Sequence, residues 1–130
     1  MIQNALKSKV LSDTDVAALI VDRFYPLHLP QEPTYPCAVY QTTETKPLEL
    51  MVGDPGYSAT TFNISVSSED YDVCIDLANK LRKAIERWSG TVVGVEVIDC
   101  MINVSDQEGY EPDLDIYYSQ MTVTVHYKES

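Results

Sequence analysis

Apolar side chains in the middle of the chain recur with the spacing of an amphipathic helix. They share one predicted helical face: Cys74, Leu77, Ala78, Leu81, Ile85 and Trp88. A serine followed by Glu69 and Asp70 precedes this series, and such side chains accept or attract the free N–H groups at a helix start. The pattern predicts one long helix over about residues 69–88. Burial of its apolar face contributes a gross stabilisation of about 10 kcal/mol.

Alternating apolar and polar residues predict strands elsewhere. The two clearest series are Phe62, Ile64 and Val66, and Met121, Val123, Val125 and Tyr127. Each alternates with polar residues, as expected for a strand with one face on the core. Residues 37–43 and 92–104 are rich in β-branched or aromatic residues and predict two further strands.

The N-terminal third has a different pattern. Apolar residues near helical spacing predict two short helices, the second of them capped by Asp13 or Thr14. Residues 25–36 contain four prolines, which exclude a helix or a central strand and predict an extended connector. The expected fold is a single α+β domain over residues 1–130. It has a four-stranded, mainly antiparallel sheet, one long helix packed on one face, and short N-terminal helices.

The charge balance makes nucleic acids and membranes unfavourable binding partners. Twenty Asp and Glu residues against nine Lys and Arg residues give a formal net charge of −11. This charge repels phosphate backbones and anionic lipid surfaces, so we expect no sequence-specific nucleic-acid binding and no membrane partner.

The first eleven residues lack the continuous apolar stretch of a secretory signal, which favours folding in a cytoplasm. The three cysteines lie far apart, which favours buried thiols over a redox or metal role.

The chain carries no recognisable catalytic or metal-binding pattern. His28 and His126 are the only histidines, and neither has a cysteine or carboxylate at ligand spacing. No serine lies in a nucleophile elbow, and no glycine-rich phosphate loop leads into a helix. We therefore expect no metal, no cofactor and no enzymatic activity. A carboxylate acid–base pair among the acidic residues stays open as the alternative.

Two irregular segments are candidates for contacts with other proteins. Residues 44–57 contain prolines and glycines but also an apolar group: Leu48, Leu50, Met51 and Val52. Such a group either folds back on the domain's own core or contacts a neighbouring chain. Residues 106–115 predict an acidic loop that carries Glu108, Glu111, Asp113 and Asp115. A calcium loop is disfavoured because Pro112 is present and a bidentate glutamate at the twelfth position is missing.

The order of these segments resembles the tail-completion and tail-terminator proteins of long-tailed bacteriophages, a group of minor tail proteins. The resemblance spans most of the chain. It rests on Pro36-Cys37-Ala38-Val39-Tyr40-Gln41, the loop at Gly53, Phe62-Asn63-Ile64-Ser65-Val66, Ser67 and Tyr71, the helix residues Leu77, Ala78, Leu81, Arg82 and Ile85, and residues 117–127. These are mainly core positions and carry no catalytic signature.

The resemblance implies a structural virion protein, assembled in the host cytoplasm, that closes the tail tube as a hexameric ring and contributes to head–tail joining. Its implied partners are other copies of itself, the tail-tube protein and the head-connector protein. Within that function, the four apolar residues in 48–52 are expected at the subunit interface. The acidic residues of 106–115 are expected to face the lumen or a partner. The alternative is a monomeric or dimeric protein-binding adaptor without catalytic activity.

Overall fold

The computed structural model describes residues 1–28, 31, 34–47 and 57–129. Three helices and six strands lie along these residues. The helices are α1 (Ile2–Ser12), α2 (Thr14–Ile20) and α3 (Tyr71–Ile85). The strands are β1 (Phe24–Pro26), β2 (Cys37–Pro47), β3 (Tyr57–Ser68), β4 (Gly90–Val92), β5 (Val95–Glu111) and β6 (Ile116–Glu129).

The strands form one mixed, six-stranded sheet in the order β1-β2-β3-β6-β5-β4. β1 and β2 are parallel, and the other neighbouring strands are antiparallel. The predicted four-stranded sheet with one long helix is therefore wrong. β1 and β4 were not predicted, because three residues are too few to show a period of two. The predicted length of α3 was too great: the helix spans 15 residues and is one of three short helices among the described residues.

The helices cover one face of the sheet. Phe62 and Val123 are register partners at its centre, and both are fully buried together with Leu77 and Leu81 of α3. Alternate residues such as Thr61 turn to the opposite face and are half-buried. The apolar stripe of α3 and the alternation in β3 and β6 thus form one core, as predicted.

Side-chain caps fix where two helices begin. Asp13 accepts hydrogen bonds from the backbone N–H groups of Asp15 and Val16 at 3.0 and 3.1 Å, which confirms the predicted second N-terminal helix. Asp70 accepts one from Asp72 at 2.9 Å at the start of α3. Such caps satisfy donors that have no partner inside the helix.

The acidic segment is mostly a strand. β5 continues to Glu111 and β6 begins at Ile116, so the predicted loop over residues 106–115 is reduced to a turn over residues 112–115. Register shifts in β5 lie between Val97 and Asp99 and between Ile102 and Gln107, after which the pairing is regular. The prediction failed because pairing with β6 satisfies the backbone whatever the side-chain charge, while acidic side chains on an outer strand stay in water.

Candidate assembly surfaces

The first turn of α3 contacts the end of the β5–β6 hairpin through a tyrosine. The hydroxyl of Tyr71 donates a hydrogen bond to Oε2 of Glu108 at 2.8 Å. Its ring also lies edge-on to that of Tyr117, with 5.5 Å between the ring centroids. The hydrogen bond to the Glu108 carboxylate is the main cause that raises the pKa of Tyr71 above its ordinary value.

A second tyrosine makes the same type of contact on the hairpin itself. The hydroxyl of Tyr110 donates to Oδ1 of Asp115 at 2.5 Å, and this hydrogen bond raises the pKa of Tyr110. The Tyr110 ring is tilted against the Tyr117 ring with centroids 4.9 Å apart. We call this group the tyrosine tip: Tyr71, Tyr110 and Tyr117, with their carboxylate partners and the turn at residues 112–115.

The tyrosine tip is exposed and negatively charged. Leu114 in its turn is 63% exposed, and Tyr71 and Tyr110 are 44% and 46% exposed. Glu111 accepts a hydrogen bond from the backbone N–H of Asp113 at 3.3 Å, which fixes the start of the turn. The ion pairs between described residues lie elsewhere in the molecule. Aromatic, apolar and anionic groups together favour a protein partner with basic side chains.

The structure brings together one of the two predicted groups of site residues. Glu108 and Glu111 lie on β5, and Asp113 and Asp115 lie in the turn, so all four gather at the tyrosine tip. The other group, Leu48, Leu50, Met51 and Val52, lies outside the described residues.

Sequence reasoning missed the tyrosines of the tip. Tyr110 and Tyr117 are register partners, but interpreting the whole segment as a loop concealed that pairing. A strand assigned up to Glu111 would have placed both rings beside each other.

A second surface feature is an apolar cleft of about 410 Å³ beside α1 and the end of β1. Its lining includes Met1, Gln3, Pro26, Leu27, Tyr40 and Thr42. Met1 and Leu27 are each 66% exposed. The side chain of Gln3 donates to the hydroxyl of Thr42 at 3.2 Å, which connects α1 to β2 at the cleft. No pattern in the sequence indicates this cleft, because the cleft depends on where β1 ends.

The described residues include three buried thiols and no group of side chains that could hold a metal ion. Cys37, Cys74 and Cys100 are buried, and burial raises their pKa values to about 11, 11 and 12. They are therefore neutral near pH 7 and lack the nucleophilic thiolate form. In the described ranges, no three His, Cys, Asp or Glu side chains are grouped so as to hold a metal ion. No helix within those ranges has the length and apolarity needed to cross a membrane.

Comparison with known families decides where the chain belongs. The family model described as tail completion protein gp17 matches residues 4–128, which include most of α1, all of α2 and α3, and the whole sheet except the last residue of β6. The chain belongs to the tail completion protein gp17 family. As a tail completion protein it is a structural component of a bacteriophage-type virion tail, and this confirms the resemblance found in the sequence.

A solved structure supports the fold of this tail completion protein. A chain in the virion of a native gene transfer agent particle is similar with a TM-score of 0.73 and 12% identity, over 97% of this chain and 93% of that one. At such low identity the similarity shows a shared fold. No curated protein matches the sequence. Membership in a structural tail family favours a non-enzymatic role.

Proposed function

We propose that this tail completion protein assembles as a hexameric ring at the end of a tail tube and contributes to head–tail joining. The observation that carries the proposal is the match of the family model to residues 4–128. Because the match covers nearly every described element, the tail function is a property of the whole fold. The partners are other copies of the chain, the tail-tube protein and the head-connector protein.

The tyrosine tip is the surface proposed to contact a tail or head protein. Its three rings and Leu114 offer apolar area, and the surrounding carboxylates attract lysine or arginine side chains. An alternative role is to line the lumen, where negative charge repels passing DNA. The exposed Leu114 and Tyr110 favour the protein contact, since a surface that only repels DNA has no need of apolar side chains.

The apolar group in residues 48–52 is still a proposed subunit interface. It connects β2, which is described up to Pro47, with β3, which begins at Tyr57. A double change of Leu50→Asp and Met51→Asp tests this contact. We expect ring formation to be lost and the thermal unfolding midpoint to be kept. A large drop in the midpoint would instead assign the group to the core.

Native mass spectrometry over a concentration series tests the ring directly. The protein is measured alone and after incubation with purified tail tubes, because a free subunit need not close a ring without its template. A mass of six subunits, alone or on the tube, supports the proposal. A monomer or dimer under both conditions contradicts it and favours the adaptor function.

A charge reversal tests the tip. Asp113→Lys is expected to weaken binding to the tail-tube or head-connector protein, and the wild-type affinity is expected to fall as salt concentration rises. Asp22→Lys is the matched control, since Asp22 is also exposed but lies in the turn after α2. Equal binding by both variants would rule out a role for the tip in recognition of either partner.

A further inference from the structure

One outer edge of the sheet is open along much of β2. Ala38 donates its backbone N–H to Arg23, and the carbonyl of Tyr40 accepts from Leu27, so these two residues direct their backbone groups away from β3. Along a strand, the side to which the backbone N–H and C=O groups point repeats every two residues. Thr42 therefore directs its N–H and C=O to the same side, past Pro26 where β1 ends. Among the described residues, no strand pairs with this side of β2 after Tyr40.

The opposite outer edge is open along β5. β4 pairs only with Val95–Val97, and the N–H of Arg87 donates to the carbonyl of Cys100 at 2.9 Å. Beyond Cys100, the described part of the chain places no strand on this side of β5. Cys100 is in the core and Glu108 contacts α3, so both lie on the helix-covered face. Residues on one face of a strand direct their backbone groups to the same side, so the N–H of Glu108 also points outward.

These two edges match each other in direction. β2, β3, β6 and β5 alternate in direction across the sheet. A second copy placed with its β2 beside β5 of the first therefore continues the antiparallel order. Different surfaces of the two copies meet in such a contact, which is the type of interface that repeats around a ring.

The two open segments are also staggered along the strands. The open part of β2 continues toward Pro47, whereas the open part of β5 continues toward Glu111. Gln41 of β2 pairs with Asn63 of β3, and Asn63 pairs with Thr122 of β6. Thr122 in turn pairs with Val104 of β5, so Gln41 and Val104 lie at the same height along the strand direction. Copies joined by these segments are therefore displaced along the strand direction at each contact. A sheet that closes on itself needs such a displacement.

The apolar cleft lies at the open edge of β2, since Tyr40 and Thr42 line it. Strand addition commonly combines backbone hydrogen bonds for affinity with an adjacent pocket that takes side chains of the added strand. Met1 and Leu27 are each 66% exposed at this cleft, and covering them removes apolar surface from water. The edge and the cleft together form a site for a strand.

We propose that the open edge of β2 and its cleft bind the open edge of β5 from a second copy, so that the sheets of neighbouring subunits join around the ring. This inference rests on the proposed ring and names the strands that close it. The backbone groups of Thr42 on one subunit and of Glu108 on the next lie within the two paired segments.

Proline substitutions test the two edges separately, because proline removes the outward N–H without removing a hydrogen bond to the inner neighbour. Thr42→Pro blocks the β2 edge and Glu108→Pro blocks the β5 edge. Each variant alone is expected to give no ring in native mass spectrometry with tail tubes present. An equimolar mixture is expected to give a heterodimer and nothing larger, since each partner keeps one functional edge.

Thr42→Ala and Glu108→Ala are the matched controls, because they remove the same side chains and keep the N–H. The loss of the Glu108 carboxylate from the tyrosine tip, or of the Thr42 hydroxyl from the cleft, is common to both variants of a pair, so the difference between them reports the N–H alone. The alanine variant of each pair is expected to give more ring than its proline counterpart, with similar thermal unfolding midpoints. Rings formed by either proline variant, or a folded mixture without a heterodimer, would overturn the edge pairing while the hexamer stands. A wild-type protein that forms no ring with or without tubes contradicts both the ring and the pairing.

Hydrogen–deuterium exchange of the wild-type protein gives a second readout that needs no variant to fold. Peptides that cover residues 41–47 and 107–111 are expected to exchange more slowly in the ring than in the monomer. Unchanged exchange in both segments would refute the pairing.

Discussion

The hydroxyl of Tyr71 donates to the carboxylate of Glu108 at 2.8 Å, although the two residues lie 37 positions apart in sequence. This hydrogen bond connects the first turn of α3 to strand β5 at the tyrosine tip. It also connects the helix layer with the segment that carries the proposed contact residues. The shape of the tip therefore depends on the fold as well as on the hairpin.

The stability of the tip should depend on pH through its tyrosines. The pKa of Tyr71 is raised in the folded state, mainly by the hydrogen bond to Glu108. Folding therefore favours the protonated phenol. This contribution is present below the ordinary tyrosine pKa of about 10 and is lost as pH rises through the higher folded value.

We expect Tyr71→Phe to reduce the fall in the thermal unfolding midpoint between about pH 9 and about pH 11. Tyr25→Phe, on β1 and outside the tip, is the control and should keep the wild-type pH dependence. The same slope in Tyr71→Phe as in the wild type would show that this hydroxyl is not linked to folding.

Gly109 allows β5 and β6 to pair beside a large ring. A methyl group added at this position would overlap the ring of Tyr118, its register partner on β6. We expect Gly109→Ala to lower the free energy of unfolding by about 1–3 kcal/mol, as measured by urea denaturation. With Tyr118→Ala in the same chain, the combined loss should be smaller than the sum of the single losses, since the overlap is then removed. If the two losses simply added, the overlap with the Tyr118 ring would not be the cause of the destabilisation by Gly109→Ala.

Trp88 belongs to the core although it lies beyond the end of α3. Its side chain is 5% exposed. We expect Trp88→Ala to cost about 3–5 kcal/mol in the free energy of unfolding, because it leaves a cavity. Leu114→Ala, at a side chain that is 63% exposed, should change the same quantity by less than about 0.5 kcal/mol. A similar cost for both would contradict the assignment of Trp88 to the core.

The three thiols should be protected by the fold. Burial raises the pKa values of Cys37 and Cys74 to about 11 and of Cys100 to about 12, so all are protonated near neutral pH. We expect no reaction with a thiol reagent in native buffer and complete labelling in denaturant, followed by mass spectrometry. Rapid labelling of the native protein would contradict the burial of the labelled cysteine.

The core of the fold was predictable because its apolar residues recur at regular spacing along the sequence. The alternation of Phe62, Ile64 and Val66 predicted a central strand, and the stripe from Cys74 to Ile85 predicted the helix that covers it. The start of α2 was predicted with Asp13 or Thr14 as its cap, and Asp13 is the cap in the structure, because its carboxylate accepts the free N–H groups of the first turn. These features depend on local spacing alone.

The edges of the sheet were not predictable in the same way. β1 has three residues, one of them Pro26, and becomes a strand only through its parallel pairing with β2. The acidic end of β5 had the composition of a solvated loop, and its strand structure comes from pairing with β6. The acidic residues of the candidate site were therefore found by composition. Their neighbours Tyr71 and Tyr117 required the long-range pairing to be known.

Electron cryo-microscopy of purified tail tubes incubated with the protein tests the central claim most directly. The account predicts a single ring of six subunits at one end of each tube, with the sheets of neighbouring subunits joined through β2 and β5. Subunits bound along the tube wall, or tube ends without added density at saturating protein, would contradict it.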